Sequence, residues 1–435
     1  MCVSLVLVSL LLMLSSCAGD GDSVLIKISK AMDELSSYEA DGELNIAAYY
    51  NNEKLNITGE SKSIYSEEGD LYYYSKSDVT VKHTTFTNST TVLEAYNDGE
   101  YLLMYSVGDE KTRLRSEHTE SEITEYFEDR SEFGSIFHGY SKISASKNKS
   151  KGYDVKLSNY DKKTIRTLNA DLGFPIEKGG ATITDISVTI STHSNYLINE
   201  INVDYVFSSN DFSGSEKTLY SNYDAAEKIE SGLLAQNYTS VADARVVPML
   251  MSHLNSKTVA DKGSFRSTYS VVMKVMETEN EINQSYDVSY GYKNDRFWYT
   301  VDHTADDEKN HEEYENNGEG LAFCEAKAYI DGLIDPFSFS ADGIHSVERQ
   351  KKSNGTVIYT IGINTRFTPI YDIVKQIFSA ANASYERSSV QLVVEFKGNE
   401  LVSMTYTIEA LGKVYSAGVG SIELPLTIES KTTFE

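Results

Sequence analysis

The chain has 435 residues and a formal net charge of −26 at pH 7, from 65 acidic and 39 basic residues. This charge excludes a nucleic-acid-binding protein, which needs a basic stripe, and it argues against a body that docks flat on anionic lipid. Beyond residue 17 the only cysteine is Cys324, which excludes a disulfide framework. The length is enough for two or three domains, whose hydrophobic cores must supply the stability.

The first residues predict a signal peptide followed by a lipid anchor. Residues 3–14 are apolar apart from two serines, and twelve helical residues span only about 18 Å of a hydrocarbon core of ~30 Å. We therefore assign residues 1–16 to a signal peptide. Residues 14–17 read Leu-Ser-Ser-Cys, which resembles the lipobox of bacterial lipoproteins. The resemblance implies that Cys17 carries acyl chains such as palmitate, and that residues 17–23 form a lipidated tether on the extracytoplasmic face of the cell membrane.

The remaining sequence reads as two tandem copies of one β-rich unit. Four stretches recur in the same order, among them DLYYYSKSDVT from residue 70 and DRFWYTVDHT from residue 295. The spacing between the copies is about 225 residues at first and about 203 later, which predicts trimmed loops in the second copy. We predict one domain over residues 24–225 and a second over residues 226–435.

Each copy has three helical segments. The first helix of copy one covers residues 24–35, where Leu25, Ile28 and Met32 recur at helical spacing, and the first helix of copy two covers about 241–254. The other predicted helical segments are residues 120–134 and 161–173 in copy one and residues 322–337 and 368–382 in copy two.

Between these helices, apolar and polar residues alternate strictly over long stretches. Such alternation predicts antiparallel strands with one buried and one wet face. Each copy closes with a hairpin, and in copy two the turn is Gly398-Asn399. The prediction is an α+β fold made of two tandem repeats, each a large curved antiparallel β-sheet (an incomplete barrel) with helices packed across its concave face.

A lipobox, a first helix ending in LSSYEADGELNI and a curved antiparallel sheet crossed by helices together resemble the LolA/LppX-type envelope lipoproteins. The resemblance implies that the concave face can hold acyl chains. In this sequence the inner face would be formed by two sets of alternating residues, which are our candidate ligand cleft. They are Leu44, Ile46, Val188, Ile190, Val203 and Tyr205 in copy one, and Val271, Met273, Val394, Phe396, Met404 and Tyr406 in copy two.

Catalytic or metal chemistry has little support in the sequence. The richest cluster is the acidic stretch 302–315, where the candidate metal ligands are His303, Asp306, Asp307 and His311. A His-Glu-x-x-His zinc motif fails there because residue 315 is a glutamate, so we interpret the stretch as a solvated acidic loop between two strands. No nucleophile elbow or complete dinucleotide-binding loop occurs, and we expect neither enzymatic activity nor a cofactor.

Two functions remain open. The first is a membrane-anchored binding module that holds a lipid or another apolar ligand between sheet and helices. The alternative is an envelope interaction protein with filled cores, which recognises a protein or a wall polymer through its acidic surface. The volume between the sheet and the helices distinguishes the two functions, because ligand pockets usually need ~300 Å³ or more.

Overall fold

The computed structural model of the protein shows two compact units that divide between Tyr238 and Thr239, named unit 1 and unit 2 here. The division predicted from the sequence, after residue 225, comes slightly earlier in the chain. The structure describes residues 20–50, 53–66, 72–82, 87–97, 102–107, 112–119, 121–122, 137–171, 182–227, 238–257, 260–275, 278–294, 296–305, 308–316, 320–416 and 420–435. The predicted signal peptide and Cys17 lie outside these residues.

Unit 1 contains two described helices, α1 (Asp20–Asp33) and α2 (Lys162–Asp171). Its strands are β1 (Ser37–Tyr50), β2 (Glu53–Ser66), β3 (Tyr72–Lys82), β4 (Thr87–Asn97), β5 (Leu102–Val107), β6 (Thr112–Glu117), β7 (Tyr140–Lys147), β8 (Tyr153–Tyr160), β9 (Ile183–Thr192), β10 (Ile198–Phe207) and β11 (Phe212–Ser221). They lie in the order β6-β5-β4-β3-β2-β1-β11-β10-β9-β8-β7, so the first strand pairs with the last.

Unit 2 begins with a two-residue strand, β12 (Thr239–Ser240). Its helices are α3 (Val246–Lys257), α4 (Gly320–Ile334) and α5 (Pro369–Ala380), and a short 3₁₀ helix covers Thr365–Phe367. Its long strands are β13 (Lys262–Val275), β14 (Thr278–Lys293), β15 (Arg296–Ala305), β16 (Glu308–Asn316), β17 (Ile344–Lys351), β18 (Thr356–Ile363), β19 (Ser384–Lys397), β20 (Glu400–Ser416) and β21 (Gly420–Phe434). They lie in the order β16-β15-β14-β13-β21-β20-β19-β18-β17.

The two units share one connectivity, which confirms the predicted α+β fold of two antiparallel repeats. In each unit the first long strand pairs with the last, and five strands in sequence close the sheet. A helix separates the second and third of those five strands, α2 in unit 1 and α5 in unit 2. Over the described strands neither sheet closes into a barrel, because the two end strands of each order are not paired with one another.

The changing spacing between the copies has a different cause from the predicted one. Among the described residues, unit 1 has six strands before its five closing strands, whereas unit 2 has four after β12. The extra pair, β5 and β6, forms a hairpin that continues the first sheet beyond β4. In unit 2, α4 follows β16 directly. In the part of unit 2 that the structure describes, this hairpin has no counterpart, so the change in spacing comes from a whole hairpin and not from trimmed loops.

Both first helices begin at other residues than predicted. Helix α1 starts at Asp20, so residues 20–23 are helical and do not belong to an extended tether. Its first turn is held by packing, since a Cβ on Gly21 would lie 2.9 Å from Cγ1 of Ile143 on β7. Helix α3 starts at Val246, because residues 243–245 form a buried turn around the side chain of Asp243.

The predicted helix 120–134 shows only its beginning in the described residues. The side chain of Glu122 accepts a hydrogen bond from the backbone N–H of Thr119 at 3.1 Å, and Thr119 Oγ1 accepts one from the N–H of Glu122 at 3.4 Å. This reciprocal pair is a capping box, which marks a helix start. The rest of the predicted segment lies outside the described residues.

Candidate functional site

The inner face of each sheet is the face that packs against the helices, and it contains all the predicted cleft residues. In unit 1 the register places Leu44 opposite Glu216, Glu216 opposite Val203, and Val203 opposite Val188. Directly opposite residues of an antiparallel pair point to the same face. The neighbouring row contains Ile46 and Tyr205, each opposite Gly214. The structure therefore brings the copy-one cleft residues together on one face.

Helices fill this face in unit 1. Val188 and Ile190 are 0% exposed, and they belong to one hydrophobic cluster with Leu25 and Ile28 of α1 and Ile165 of α2. The other predicted cleft residues of unit 1 are also buried there, except Leu44, which is half-buried. Over β8 to β11 the face is thus part of a packed core.

One polar residue on this face was missed from the sequence. Glu216 lies in the row between Leu44 and Val203, where the alternation of β11 places it on the inner face. Its Oε2 accepts a hydrogen bond from Tyr205 Oη at 2.8 Å. Burial, together with this carboxylate, raises the pKa of the Tyr205 hydroxyl. The tyrosine therefore stays protonated and satisfies the half-buried glutamate.

In unit 2, four of the six predicted cleft residues are fully covered. These residues, Val394, Phe396, Met404 and Tyr406, are at most 1% exposed. The ring of Phe337, just after α4, stands edge-on to Tyr406 with centroids 5.0 Å apart. Helix α5 covers the neighbouring part of β20, because a Cβ on Gly412 would lie 2.5 Å from the ring of Phe378.

A buried carboxyl group anchors this cover at the end of α4. Tyr406 Oη donates a hydrogen bond to Asp335 Oδ1 at 3.1 Å. The backbone N–H groups of Phe337 and Phe339 also donate to the Asp335 carboxylate. Burial raises the pKa of Asp335, and burial beside Asp335 raises the pKa of Tyr406. These bonds fix the chain after α4 above the middle of the sheet.

The remaining two predicted cleft residues, Val271 and Met273, are only half-buried, and they begin an uncovered part of the face. Val275, next in the alternation of β13, is 37% exposed, and Ile282 on β14 is 51% exposed. Val271 lies opposite Ile282, and Val275 lies opposite Thr278, so all four apolar side chains share the inner face. We call Val271, Met273, Val275 and Ile282 the open strip.

The open strip continues the covered core. Val271 lies opposite the fully buried Ile428 of β21, and Met273 lies opposite Leu426, which is 1% exposed. Helix α4 covers the other end of β13 to β15, where Phe265, Val301 and Ile330 share one cluster. The strip is therefore the part of the inner face that lies beyond the cover of α4.

Polar and aromatic groups border the strip. Gln284 and Tyr286 follow Ile282 on the inner face of β14, and Tyr286 Oη donates to Gln284 Oε1 at 2.9 Å. The ring of His303 on β15 stacks on Tyr286, with centroids 4.4 Å apart and planes 8° from parallel. Its Nε2 is buried and has no hydrogen-bond partner among the described residues. The strip thus ends at side chains that can contact a polar group.

The acidic stretch is a β-hairpin and not the solvated loop we predicted. Strands β15 and β16 run through it, and only Asp306 and Asp307 lie outside the described residues. His303 lies opposite Asn310 on the inner face, whereas His311 lies opposite Asp302 on the outer face. The two histidines therefore point to opposite sides of the sheet and do not share one ion.

His311 is instead held by carboxylates. Its Nδ1 lies 2.7 Å from Asp302 Oδ1, and its Nε2 lies 3.1 Å from Glu313 Oε1. These hydrogen bonds, first with Asp302 and then with Glu313, raise the pKa of His311. Within the described ranges, no group of three His, Cys, Asp or Glu side chains is placed to hold a metal ion.

Among the described helices, none combines the length and the apolar character that crossing a bilayer requires. Cys324 lies in α4, where the structure describes its backbone but not its side chain.

Comparison with known proteins finds no matching protein family and no matching curated protein. Among solved structures, the chain is similar to LprF from Mycobacterium bovis, with 13% identity and a TM-score of 0.26 over 48% of this chain and 94% of that chain. It is also similar to OccK3 (OpdO) from Pseudomonas aeruginosa, with 7% identity and a TM-score of 0.16 over 93% of this chain and 98% of that chain. Scores this low do not assign the chain to a family.

Proposed function

We propose that the chain is a lipoprotein, anchored to the extracytoplasmic face of the membrane through Cys17, that binds a lipid or another apolar ligand without catalysing a reaction. The ligand contacts the open strip of unit 2. One observation carries this proposal: the strip is an apolar extension of a buried sheet face, and Ile282 within it is 51% exposed. Covering apolar surface is favourable by about 25 cal/mol per Å².

The border of the strip indicates what kind of ligand fits. An acyl chain laid along the strip extends the core that Ile428 and Leu426 begin. A polar end group at the head of that chain reaches Gln284, Tyr286 and His303, which follow Ile282 or stack beside it. The arrangement favours an amphiphile, with one apolar chain and one end that forms hydrogen bonds.

The alternative, an interaction protein with filled cores, has one observation in its favour. The predicted cleft residues of unit 1 are packed under helices, with Val188 and Ile190 at 0% exposure. This packing limits the ligand proposal to unit 2. It leaves the β8–β11 part of unit 1 filled, and the acidic surface of the protein available to a protein or a wall polymer.

The ligand proposal predicts that Ile282→Asn weakens apolar binding. The substitution puts an amide in the centre of the strip, and loss of part of a buried isoleucine contact raises Kd about tenfold. Titration with a fluorescent fatty acid measures the Kd directly, and near-ultraviolet circular dichroism verifies the fold.

The matched control is Val206→Asn. Val206 is 51% exposed, as is Ile282, but it lies on the outer face of β10, on the opposite side from Tyr205. The control variant is expected to bind the fatty acid with unchanged Kd. An equal loss in both variants would show that binding is not localised to the strip.

A further inference from the structure

The strongly acidic chain contains one segment of the opposite charge. Residues 140–166 hold eight Lys or Arg and two Asp, in a protein whose net charge is −26. This segment forms the β7–β8 hairpin at the edge of the unit 1 sheet and the first half of α2. Seven of its lysines are exposed, and we call them the basic hairpin surface: Lys142, Lys147, Lys149, Lys151, Lys156, Lys162 and Lys163.

The fold does not use these charges. Across the described residues, no ion pair joins any of the seven lysines to a carboxylate. The two acidic groups of the segment have other partners: Asp154 accepts a hydrogen bond from Asn148 Nδ2, and Asp161 accepts one from the N–H of Thr164 at the start of α2. The lysines are therefore available to an external anion.

The equivalent hairpin of unit 2 shows the contrast. In β17 and the turn after it, Arg349 pairs with the buried Asp243, and Lys352 pairs with Glu395 at 3.2 Å. There two of the cations, Arg349 and Lys352, form ion pairs within the fold. The cluster of seven lysines on this hairpin and the helix after it is thus a property of unit 1 and not of the shared architecture.

The position of the surface relative to the N-terminus identifies a partner. Helix α1 starts at Asp20, and its Gly21 packs against Ile143, the neighbour of Lys142 on edge strand β7. Cys17 is three residues before Asp20, and three extended residues span at most about 11 Å. A lipid on Cys17 therefore keeps this edge of unit 1 close to the membrane surface.

We propose that the basic hairpin surface binds the anionic headgroups of the membrane in which the Cys17 lipid is inserted. This inference rests on the lipid anchor of the proposed function, but not on its apolar ligand. Charges act over a Debye length of about 8 Å at physiological salt, so local lysines act at the membrane while distant carboxylates are screened. An acyl anchor combined with a basic patch is a recognised pair of membrane signals.

This proposal changes the expectation drawn from net charge. The value of −26 indicates a body held away from anionic lipid, but it averages over the whole surface. The lysines of the basic hairpin surface have the opposite sign, and these seven cations outnumber the two aspartates, Asp20 and Asp22, in the first turn of α1. Unit 1 is therefore expected to lie with the β7–β8 edge on the membrane.

The test is vesicle binding by a chain that begins at Ala18, which keeps every described residue and has no acyl group. Vesicles of phosphatidylcholine containing phosphatidylglycerol are compared with pure phosphatidylcholine by sedimentation. Each lysine near a charged surface contributes about fivefold in affinity. Changing Lys142, Lys149, Lys151 and Lys156 together to Gln is expected to weaken binding to the anionic vesicles at least 100-fold.

The matched control changes four exposed lysines of unit 2, Lys262, Lys274, Lys293 and Lys431, to Gln. It has the same change in net charge and is expected to bind as the parent chain does. Equal losses in both variants, equal binding to neutral vesicles, or no binding by the parent chain would overturn the proposal. Stronger binding to a soluble polyphosphate than to the vesicles would also overturn it, in favour of a polymer partner. The assay contains no fatty acid and no Cys17 lipid, so its failure is separate from failure of the ligand proposal.

Discussion

Replacing Asp243 with alanine is expected to lower the free energy of unfolding of unit 2 by about 3–5 kcal/mol. Asp243 is 0% exposed, and Arg245 donates to both of its oxygens, from Nε to Oδ1 at 2.9 Å and from a terminal nitrogen to Oδ2 at 2.8 Å. Tyr359 Oη also donates to Oδ2, at 3.0 Å. The substitution removes the buried carboxylate to which the guanidinium of Arg245, only 10% exposed, donates two hydrogen bonds.

An exposed pair in the same unit is the control. Arg296 Nε lies 3.0 Å from Glu315 Oε1, but both side chains are more than half exposed, at 51% and 54%. Such pairs contribute roughly 0–1 kcal/mol, so Glu315→Ala is expected to have little effect. The only tryptophan of the chain, Trp298, lies in β15 of unit 2, so its fluorescence during urea unfolding reports on that unit. Similar losses in the two variants would contradict the structural role of Asp243.

Replacing Cys17 with alanine is expected to abolish incorporation of labelled palmitate and to release the protein into the soluble fraction. The physical reason is that each buried methylene contributes about 0.8 kcal/mol of membrane affinity, so two or three acyl chains give firm anchoring. The basic hairpin surface alone cannot replace this, because its affinity is screened by salt. Palmitate labelling of cells followed by fractionation in high salt measures both effects.

The remaining cysteines provide the controls for this experiment. Cys324→Ala changes a residue of α4, and Cys2→Ala changes one before the predicted apolar run. Both variants are expected to keep label and membrane association. Label that persists in the Cys17→Ala protein would show that the acyl group is attached elsewhere.

The alternation of apolar residues was sufficient to predict the sheets. Val188 and Val203 come from two separate alternating runs. They lie on the same face, as the period of two predicts, and the register places them directly opposite each other. The order of recurring stretches likewise predicted two units of one connectivity. The ends of helices were harder to predict. Helix α1 begins at Asp20, where Gly21 packs against Ile143, and the local sequence does not indicate this contact.

What lies over each face could not be predicted. Val271 and Val394 occupy equivalent alternating patterns, yet one is half-buried and the other is fully buried. The difference depends on where α4 and the chain around Asp335 cross the sheet, which is a tertiary property. The acidic stretch was misread for a related reason: its charges suggested a loop, but β15 and β16 pair through their backbones, and their side chains are free to be acidic at an exposed edge.

The basic hairpin surface shows the same limit for electrostatics. A net charge of −26 describes the chain as a whole, whereas Lys142 and Lys163 act within a Debye length of their own position. Their lysine-rich segment is visible in the sequence, but its closeness to the proposed lipid tether follows only from the packing of α1 on β7. The local charge of a segment indicates a binding partner only when the fold shows what lies beside that segment.

The central claim, that the chain carries an apolar ligand on the open strip, is tested most directly by native mass spectrometry of the purified protein. We predict one co-purifying amphiphile per chain in the wild-type protein, and reduced occupancy in Ile282→Asn at the same protein concentration. Protein that is free of bound lipid in the wild-type form, and that still binds no added fatty acid, would contradict the claim and favour the interaction protein with filled cores.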